Sequence, residues 1–101
     1  MKNGYKIFWT GFALDELADT IKYLEENWTE KEVRNFSKNL EETIVFISKN
    51  PNLFQRSDIK KDIRRAIVAK HNTLYYRQTN DQVEIISLFS HRQDPKKRKL
   101  K

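Results

Sequence analysis

The side chains best suited to chemistry are a histidine and a few arginines in the second half of the chain. His91 could accept or donate a proton near neutral pH, and Arg64 or Arg92 could bind a phosphate through a permanently charged guanidinium. The 101 residues include no cysteine, which excludes disulfides, thiolate zinc sites and thiol catalysis. His71 is the second histidine, and no third ligand follows at a recognisable spacing, so we expect neither a metal site nor a cofactor.

Positive charge is concentrated after residue 55, although the net charge of the whole chain is only +6. Up to Gln55 there are seven lysines and arginines against nine acidic residues, a balance of −2. From Arg56 onward there are thirteen against five, a balance of +8. This asymmetry predicts a polyanionic partner, either a nucleic acid or an acidic protein segment. A lysine-rich solvated surface is the alternative, above all for the basic tail at residues 96–101.

Length and composition predict one small domain with a modest core. The chain is 38% hydrophobic and 34% charged, which is typical of a globular protein rather than a disordered one. No apolar run approaches the roughly 20 residues that span a bilayer, and the N-terminus lacks the pattern of a secretory signal. We therefore expect a single domain at residues 1–95, a tail at residues 96–101, no membrane contact and a cytoplasmic location.

The candidate arginines lie within or just after three short segments that are predicted to be strands. Residues 63–69, 73–78 and 83–89 are rich in β-branched and aromatic residues and are separated by short polar breaks. Breaks this short predict an antiparallel meander in which consecutive strands are neighbours. A further strand at residues 5–9 is too short to stand alone and must join the meander at an edge or beside its last strand.

Two amphipathic helices are predicted between the first strand and the meander. Thr10 can cap a helix that runs to about Asn27, and Thr29 followed by Glu32 fits a capping box for a second helix that ends at Asn50. The short connection predicts an antiparallel helical hairpin, which must cover one face of the sheet, giving an α+β fold. The expected apolar positions are Phe12, Leu14, Leu17, Ala18, Ile21 and Leu24, then Val33, Phe36, Leu40, Ile44 and Ile47, with Leu53 and Phe54 anchoring the connector.

This order of elements resembles the RelE/ParE superfamily of toxins from bacterial type II toxin-antitoxin modules. The resemblance is carried by YKIFWTGFALDELADTIKYL at the start, ISKNPNLF in the connector, DIRRAIV and LYYR in the meander, and VEIISLFSHRQDP at the end. It implies a toxin that inhibits bacterial growth and is neutralised by a cognate antitoxin. The antitoxin would wrap an acidic or amphipathic segment around the helices and sheet, which suits the basic second half of this chain.

The resemblance implies two alternative mechanisms, so whether the chain is an enzyme is left open. ParE-like members bind and poison DNA gyrase without acting as nucleases, and the RR pair, the LYYR strand and the HRQD ending favour this reading. RelE-like members cut messenger RNA on the ribosome. A relative that has lost toxicity, or a non-toxic basic nucleic-acid-binding domain, is a further alternative because one fold can host several functions.

The RelE-like mechanism would use His91 as general acid or base and Arg92 and Arg64 as phosphate ligands. Arg92 corresponds to a late arginine of that pattern and Arg64 roughly to a basic residue in the second strand. The sequence departs from the pattern at Arg98, where a tyrosine is expected, and at Thr73, where an arginine is expected.

A second set of residues is expected to bind a target or an antitoxin. Each has a structural alternative: Arg64 and Arg65 occupy opposite faces of one strand, so at most one can point into a given site. Arg77 can equally pair across strands with Glu84. For His91, which follows the last predicted strand, the structural alternative is a surface hydrogen bond. The set comprises Arg64, Arg65, Lys70, His71, Tyr75, Arg77 and Arg92.

Overall fold

In a computed structural model, the chain folds as a four-stranded sheet with two helices. The structure describes residues 4–57, 60, 62–69 and 71–91. Lys70, Arg92, Arg98 and the tail at residues 96–101 therefore lie outside the described residues. The elements follow one another as β1 (Lys6–Trp9), α1 (Gly11–Asn27), α2 (Glu30–Lys49), β2 (Arg64–Val68), β3 (Asn72–Thr79) and β4 (Gln82–Ser90).

The sheet is mixed, with the strand order β1-β4-β3-β2. β2, β3 and β4 form the predicted antiparallel meander. β1 lies beside the last strand, as predicted, and pairs with β4 in parallel from Lys6↔Gln82 to Trp9↔Ile85. Parallel pairing is possible because the helices and two strands separate β1 from β4 in sequence, so that no tight turn fixes their relative direction.

The helices begin and end where the capping residues predict. The Thr10 side chain accepts a hydrogen bond from the main-chain N–H of Ala13 (3.1 Å), and Thr29 accepts one from Glu32 (3.2 Å). At the other end of α2, the main-chain N–H of Asn50 closes the last turn on the Phe46 carbonyl at 2.9 Å. Each cap satisfies a main-chain group that would otherwise lack an intrahelical partner.

The core lies between the helical hairpin and one face of the sheet. α2 buries Phe36, Leu40 and Ile47 of its predicted stripe, and α1 buries Leu24 as predicted. Phe12 is 65% exposed, and Leu14 and Ala18 are also exposed, so these three predictions were wrong. The inward stripe of α1 instead follows the helical spacing of Ala13, Thr20 and Leu24. The buried apolar residues are Ala13, Leu24, Phe36, Leu40, Ile47, Ala66, Val68, Leu74, Tyr76, Val83, Ile85 and Leu88.

The connector between α2 and β2 is anchored by one of its two predicted residues. Phe54 packs edge-on against Phe46, with ring centroids 5.5 Å apart, and against Tyr76 at 6.2 Å. Leu53 was predicted to be the second anchor, but it is 68% exposed. Edge-to-face packing around Phe54 holds the connector against the core without Leu53.

The face of the sheet that points away from the helices is called the open face below. On β3 the buried Leu74 and Tyr76 alternate with Tyr75 and Arg77, so these two pairs point to opposite sides of the sheet. A register shift at Tyr75 and Tyr76 leaves Ile86 of β4 without a directly paired residue. This bulge interrupts the alternation of β4. It accounts for two apolar residues, Ile85 and Ile86, following each other where a regular strand would alternate.

Candidate binding surface

The open face contains an apolar groove. The groove has a volume of about 400 Å³ and includes residues of β3 and β4. Ile67 on β2 and Phe8 on β1 are 60% and 50% exposed on the same face, which extends the apolar surface toward both edges of the sheet. Contiguous apolar patches of this kind mark interaction sites in soluble proteins. The groove is lined by Ser57, Ile63, Tyr75, Ile86, Ser87 and Phe89.

The strand register aligns polar groups across the middle of this groove. Arg65 on β2 lies opposite Tyr75 on β3, and Tyr75 lies opposite Ser87 on β4. Directly opposed residues of antiparallel strands have Cβ atoms about 5 Å apart, so a guanidinium, a phenol and a hydroxyl form one row. Arg65 and Tyr75 can donate hydrogen bonds to a partner whose apolar groups fill the groove, whereas the Ser87 hydroxyl donates to Oε1 of Glu16 at 2.7 Å.

His91 lies just beyond β4 and is exposed. Its Nε2 atom lies 2.9 Å from the hydroxyl oxygen of the buried Thr73, and its ring packs edge-on against Phe89 with centroids 4.9 Å apart. The main-chain N–H of His91 donates to the carbonyl of His71 at 2.7 Å. The imidazole is therefore held in one place at the end of the open face. Thr73, which the sequence marked only as a departure from a family pattern, supplies this support.

Arg77 is on the open face, but its guanidinium is occupied by carboxylates. Its Nη2 lies 2.9 Å from Oε1 of Glu84, and its Nη1 lies 3.5 Å from Oδ2 of Asp62. The hydrogen bond with Glu84 raises the pKa of Arg77 above its ordinary value. Arg77 thus makes the cross-strand pair considered from the sequence and also ties the connector to the sheet, a structural role.

Two further predicted residues, Arg64 and His71, lie away from the open face. Arg64 is on the opposite side of β2 from Arg65, and its Nη1 donates to the Phe54 carbonyl at 2.7 Å. His71 lines a separate cavity between α2 and the β2–β3 turn. Of the described residues expected from the sequence, the open face therefore holds Arg65 and Tyr75 side by side, His91 at its end, and Arg77 paired with carboxylates.

The apolar members of the groove were missed by sequence reasoning. Ile86 and Phe89 were treated only as strand residues, because their orientation depends on a bulge and on the register between strands. The adjacent Ile85 and Ile86 were the only signal, since two neighbouring apolar residues break a strict alternation.

The described part of the chain contains neither a metal-binding cluster nor a membrane-spanning helix. No group of three or more histidine, aspartate or glutamate side chains could hold a metal ion there. None of the helices in that part is both long and apolar enough to cross a membrane.

Comparison with known proteins decides the family. A sequence model described as the ParE toxin of the type II toxin-antitoxin system, parDE, matches residues 7–95. The chain belongs to the ParE toxin family. Within the broader superfamily suggested by the sequence, this confirms the ParE-like branch. No curated protein sequence matches the chain.

One solved structure agrees with the ParE-like fold. One matching chain is described as the chromosomal ParDE toxin-antitoxin system from P. aeruginosa, with a TM-score of 0.73 and 11% sequence identity. The match covers 88% of this chain and 98% of that chain. The conserved hypothetical protein HP0894 from Helicobacter pylori matches with a TM-score of 0.49, 17% identity and coverages of 86% and 94%. The P. aeruginosa match supports the architecture described above, since at such low identity it concerns the fold alone.

Proposed function

We propose that this ParE-family toxin inhibits bacterial growth by binding and poisoning DNA gyrase, without cutting nucleic acid itself. The observation that carries the proposal is the ParE family match over residues 7–95, a range that includes all the strands of the open face except the first residue of β1. Gyrase is the target implied by the ParE-like resemblance.

The chemistry of the open face supports a binding role. An apolar groove next to Arg65 and Tyr75 resembles the core of a protein interface, where aromatic residues and arginine carry much of the binding energy. The groups that RNA cleavage would need do not converge among the described residues, because Arg64 and His91 lie on different sides of the sheet. A proton-transfer group without a phosphate ligand beside it would stabilise little of the transition state.

The proposed second partner is a cognate antitoxin that neutralises the toxin. An amphipathic segment could place apolar side chains in the groove and carboxylates beside Arg65. Opposite charges at the rim of an interface would speed association and favour the correct partner.

A RelE-like nuclease is retained as a second candidate because His91 is exposed and held by Thr73 and Phe89. That arrangement suits a general acid or base, with Arg92 adjacent in sequence. Purified toxin mixed with translating ribosomes tests this candidate. Cleavage of messenger RNA at a rate that falls at least about tenfold in His91→Ala would favour the nuclease. Intact messenger RNA would rule the nuclease out.

The experiment for the main proposal measures DNA supercoiling and trapped gyrase–DNA cleavage complexes with increasing toxin. We expect supercoiling to fall and cleaved DNA to accumulate, and Arg65→Gln or Tyr75→Ala to weaken both effects. Arg34→Gln is the matched control, since it removes the same charge from an exposed side chain on α2 that pairs with Glu30 at 3.7 Å. Normal supercoiling at saturating toxin, with growth inhibition intact, would refute gyrase as the target.

A further inference from the structure

Two arginines lie side by side at the outer edge of β2, outside the open face. Arg56 in the connector forms an isolated antiparallel bridge with Arg64. The flanking hydrogen bonds run from the N–H of Ser57 to the Ile63 carbonyl (2.6 Å) and from the N–H of Arg65 to the Gln55 carbonyl (3.0 Å). This pattern makes Arg56 and Arg64 a non-hydrogen-bonded pair, in which Cα atoms are only about 4.5 Å apart and both side chains point to the same side.

Like charges directly opposite each other in a sheet are destabilising, so this pair needs a compensating feature. Within the described part of the chain, the contact made by the Arg64 guanidinium is the hydrogen bond from Nη1 to the Phe54 carbonyl at 2.7 Å. That bond fixes the guanidinium and leaves its other N–H groups for a further acceptor. Arg56 is exposed and has no described side-chain partner in the same part of the chain.

Both arginines line a concavity of about 290 Å³, and Asn52, Asp62 and Gln78 complete its lining. Its volume is roughly ten times the 30 Å³ that one water molecule occupies in the liquid, which is enough for a hydrated tetrahedral anion. Gln78 is oriented by a hydrogen bond from its Nε2 to the Tyr5 hydroxyl at 3.1 Å. The negative charge of Asp62 disfavours an anion in the concavity, but its Oδ2 atom lies 3.5 Å from Nη1 of Arg77.

We propose that Arg56 and Arg64 form an oxyanion site that takes a phosphate group. Two guanidinium groups can each reach different oxygens of a tetrahedral phosphate. A carboxylate ligand has only two oxygens, and a single bidentate arginine already contacts both. The phosphate can be a free group or part of a nucleic-acid backbone. The site is on the opposite side of β2 from Arg65, so it does not depend on the gyrase proposal.

The test titrates the full chain with inorganic pyrophosphate while the guanidinium N–H resonances are followed by NMR. We expect the resonances of Arg56 and Arg64 to shift, and Arg56→Gln to weaken binding about tenfold through loss of a charge-assisted contact. Arg56→Lys, which keeps the charge but loses the planar fork, should weaken it less. Arg56 is the residue to substitute because Arg64 also holds the connector through Phe54.

Two controls distinguish pyrophosphate binding at a specific site from general attraction by the net positive charge of the protein. Arg34→Gln removes the same charge elsewhere and should change pyrophosphate affinity by less than about twofold. Asp62→Asn removes the carboxylate from the lining and should tighten binding, whereas Glu30→Gln, with the same change of charge, should not. Absence of shifts at both arginines, or equal weakening by Arg34→Gln and Arg56→Gln, would overturn the proposal.

A second arm uses a short DNA duplex to identify the source of the phosphate. If the site binds a nucleic-acid backbone, Arg56→Gln will weaken duplex binding. It will also make the fall of log affinity with log salt concentration shallower, by about one in slope. If pyrophosphate binds with the expected arginine dependence and the duplex does not, the site takes a free phosphate group.

Discussion

The carboxylate of Glu16 on α1 accepts a hydrogen bond from the main-chain N–H of Leu88 on β4, at 2.8 Å. The same oxygen, Oε1, accepts the hydroxyl of Ser87 at 2.7 Å. β1 pairs with β4 only as far as Ile85, so beyond that point α1 supplies an acceptor that a longer β1 would have provided. A single side chain thus joins the helical hairpin to the central part of the sheet.

Glu16→Ala should lower the free energy of unfolding by roughly 1–3 kcal/mol, because it leaves a main-chain N–H and a hydroxyl without their acceptor. Glu16→Gln, which keeps one acceptor oxygen, should cost less. Urea unfolding followed by circular dichroism measures the difference. Glu25→Ala is the control on the exposed side of the same helix, and an equal loss in that variant would contradict the role given to Glu16.

The buried hydroxyl of Tyr76 should make stability fall at alkaline pH. Burial raises the pKa of Tyr76 from 10.0 to about 12, since desolvation disfavours the phenolate. The unfolded state therefore loses this proton first, and the contribution is complete below pH 10 and declines as the pH rises from 10 to about 12.

Comparison of wild type with Tyr76→Phe isolates this contribution from the titration of other groups. The variant should lose about 1 kcal/mol at neutral pH, because the hydroxyl donates to the Pro51 carbonyl at 2.8 Å. The difference between the two proteins should fall between pH 10 and about 12 and then change sign, because a pKa raised by about 2 corresponds to more free energy than the advantage at neutral pH. Tyrosinate absorbance should show one late-titrating phenol in wild type that is absent from the variant. A constant stability difference across this range would contradict the assignment.

The cap at Thr29 should be worth about 1 kcal/mol of stability. Thr29→Ala removes the side-chain acceptor of the Glu32 N–H, which lies 3.2 Å away. The free energy of unfolding should fall by that amount, whereas Ser37→Ala on the exposed face of α2 should change it by less than about 0.5 kcal/mol. No difference between the two variants would show that the cap adds nothing measurable.

The apolar surface of the open face should contribute to antitoxin affinity. Ile67→Thr keeps a β-branched side chain but removes apolar area, and we expect roughly tenfold weaker binding with little loss of stability. Isothermal titration with the cognate antitoxin measures the change. Leu53→Thr is the control, since Leu53 is similarly exposed but lies in the connector. Equal affinities of wild type and Ile67→Thr would place the antitoxin elsewhere.

The sequence predicted the elements well because their signals are local. The caps at Thr10 and Thr29 and the apolar stripe of α2 depend only on residues a few positions apart. The exposed Phe12 and Leu53 were misassigned because burial depends on what lies opposite a side chain, which local spacing does not contain.

The candidate surface was predicted less completely because it depends on register. Alternation alone placed Arg64 and Arg65 on opposite faces of their strand, and the alternative pairing of Arg77 with Glu84 is present. The bulge at Ile86 changes which residues of β4 face the groove. A shift of one residue reverses the orientation of every later side chain, so pattern alone could not identify the groove.

The central place of β4 has a consequence for the order in which the toxin is made. β4 is the last described strand to be synthesised, yet β1 and β3 both pair with it, and the hydrogen bond from Thr10 to Ile86 joins residues 76 positions apart. Nascent chains that stop before β4 lack the strand on which both neighbours assemble, and long-range pairing of this kind slows folding. The sheet therefore cannot be completed until nearly all of the described residues have left the ribosome.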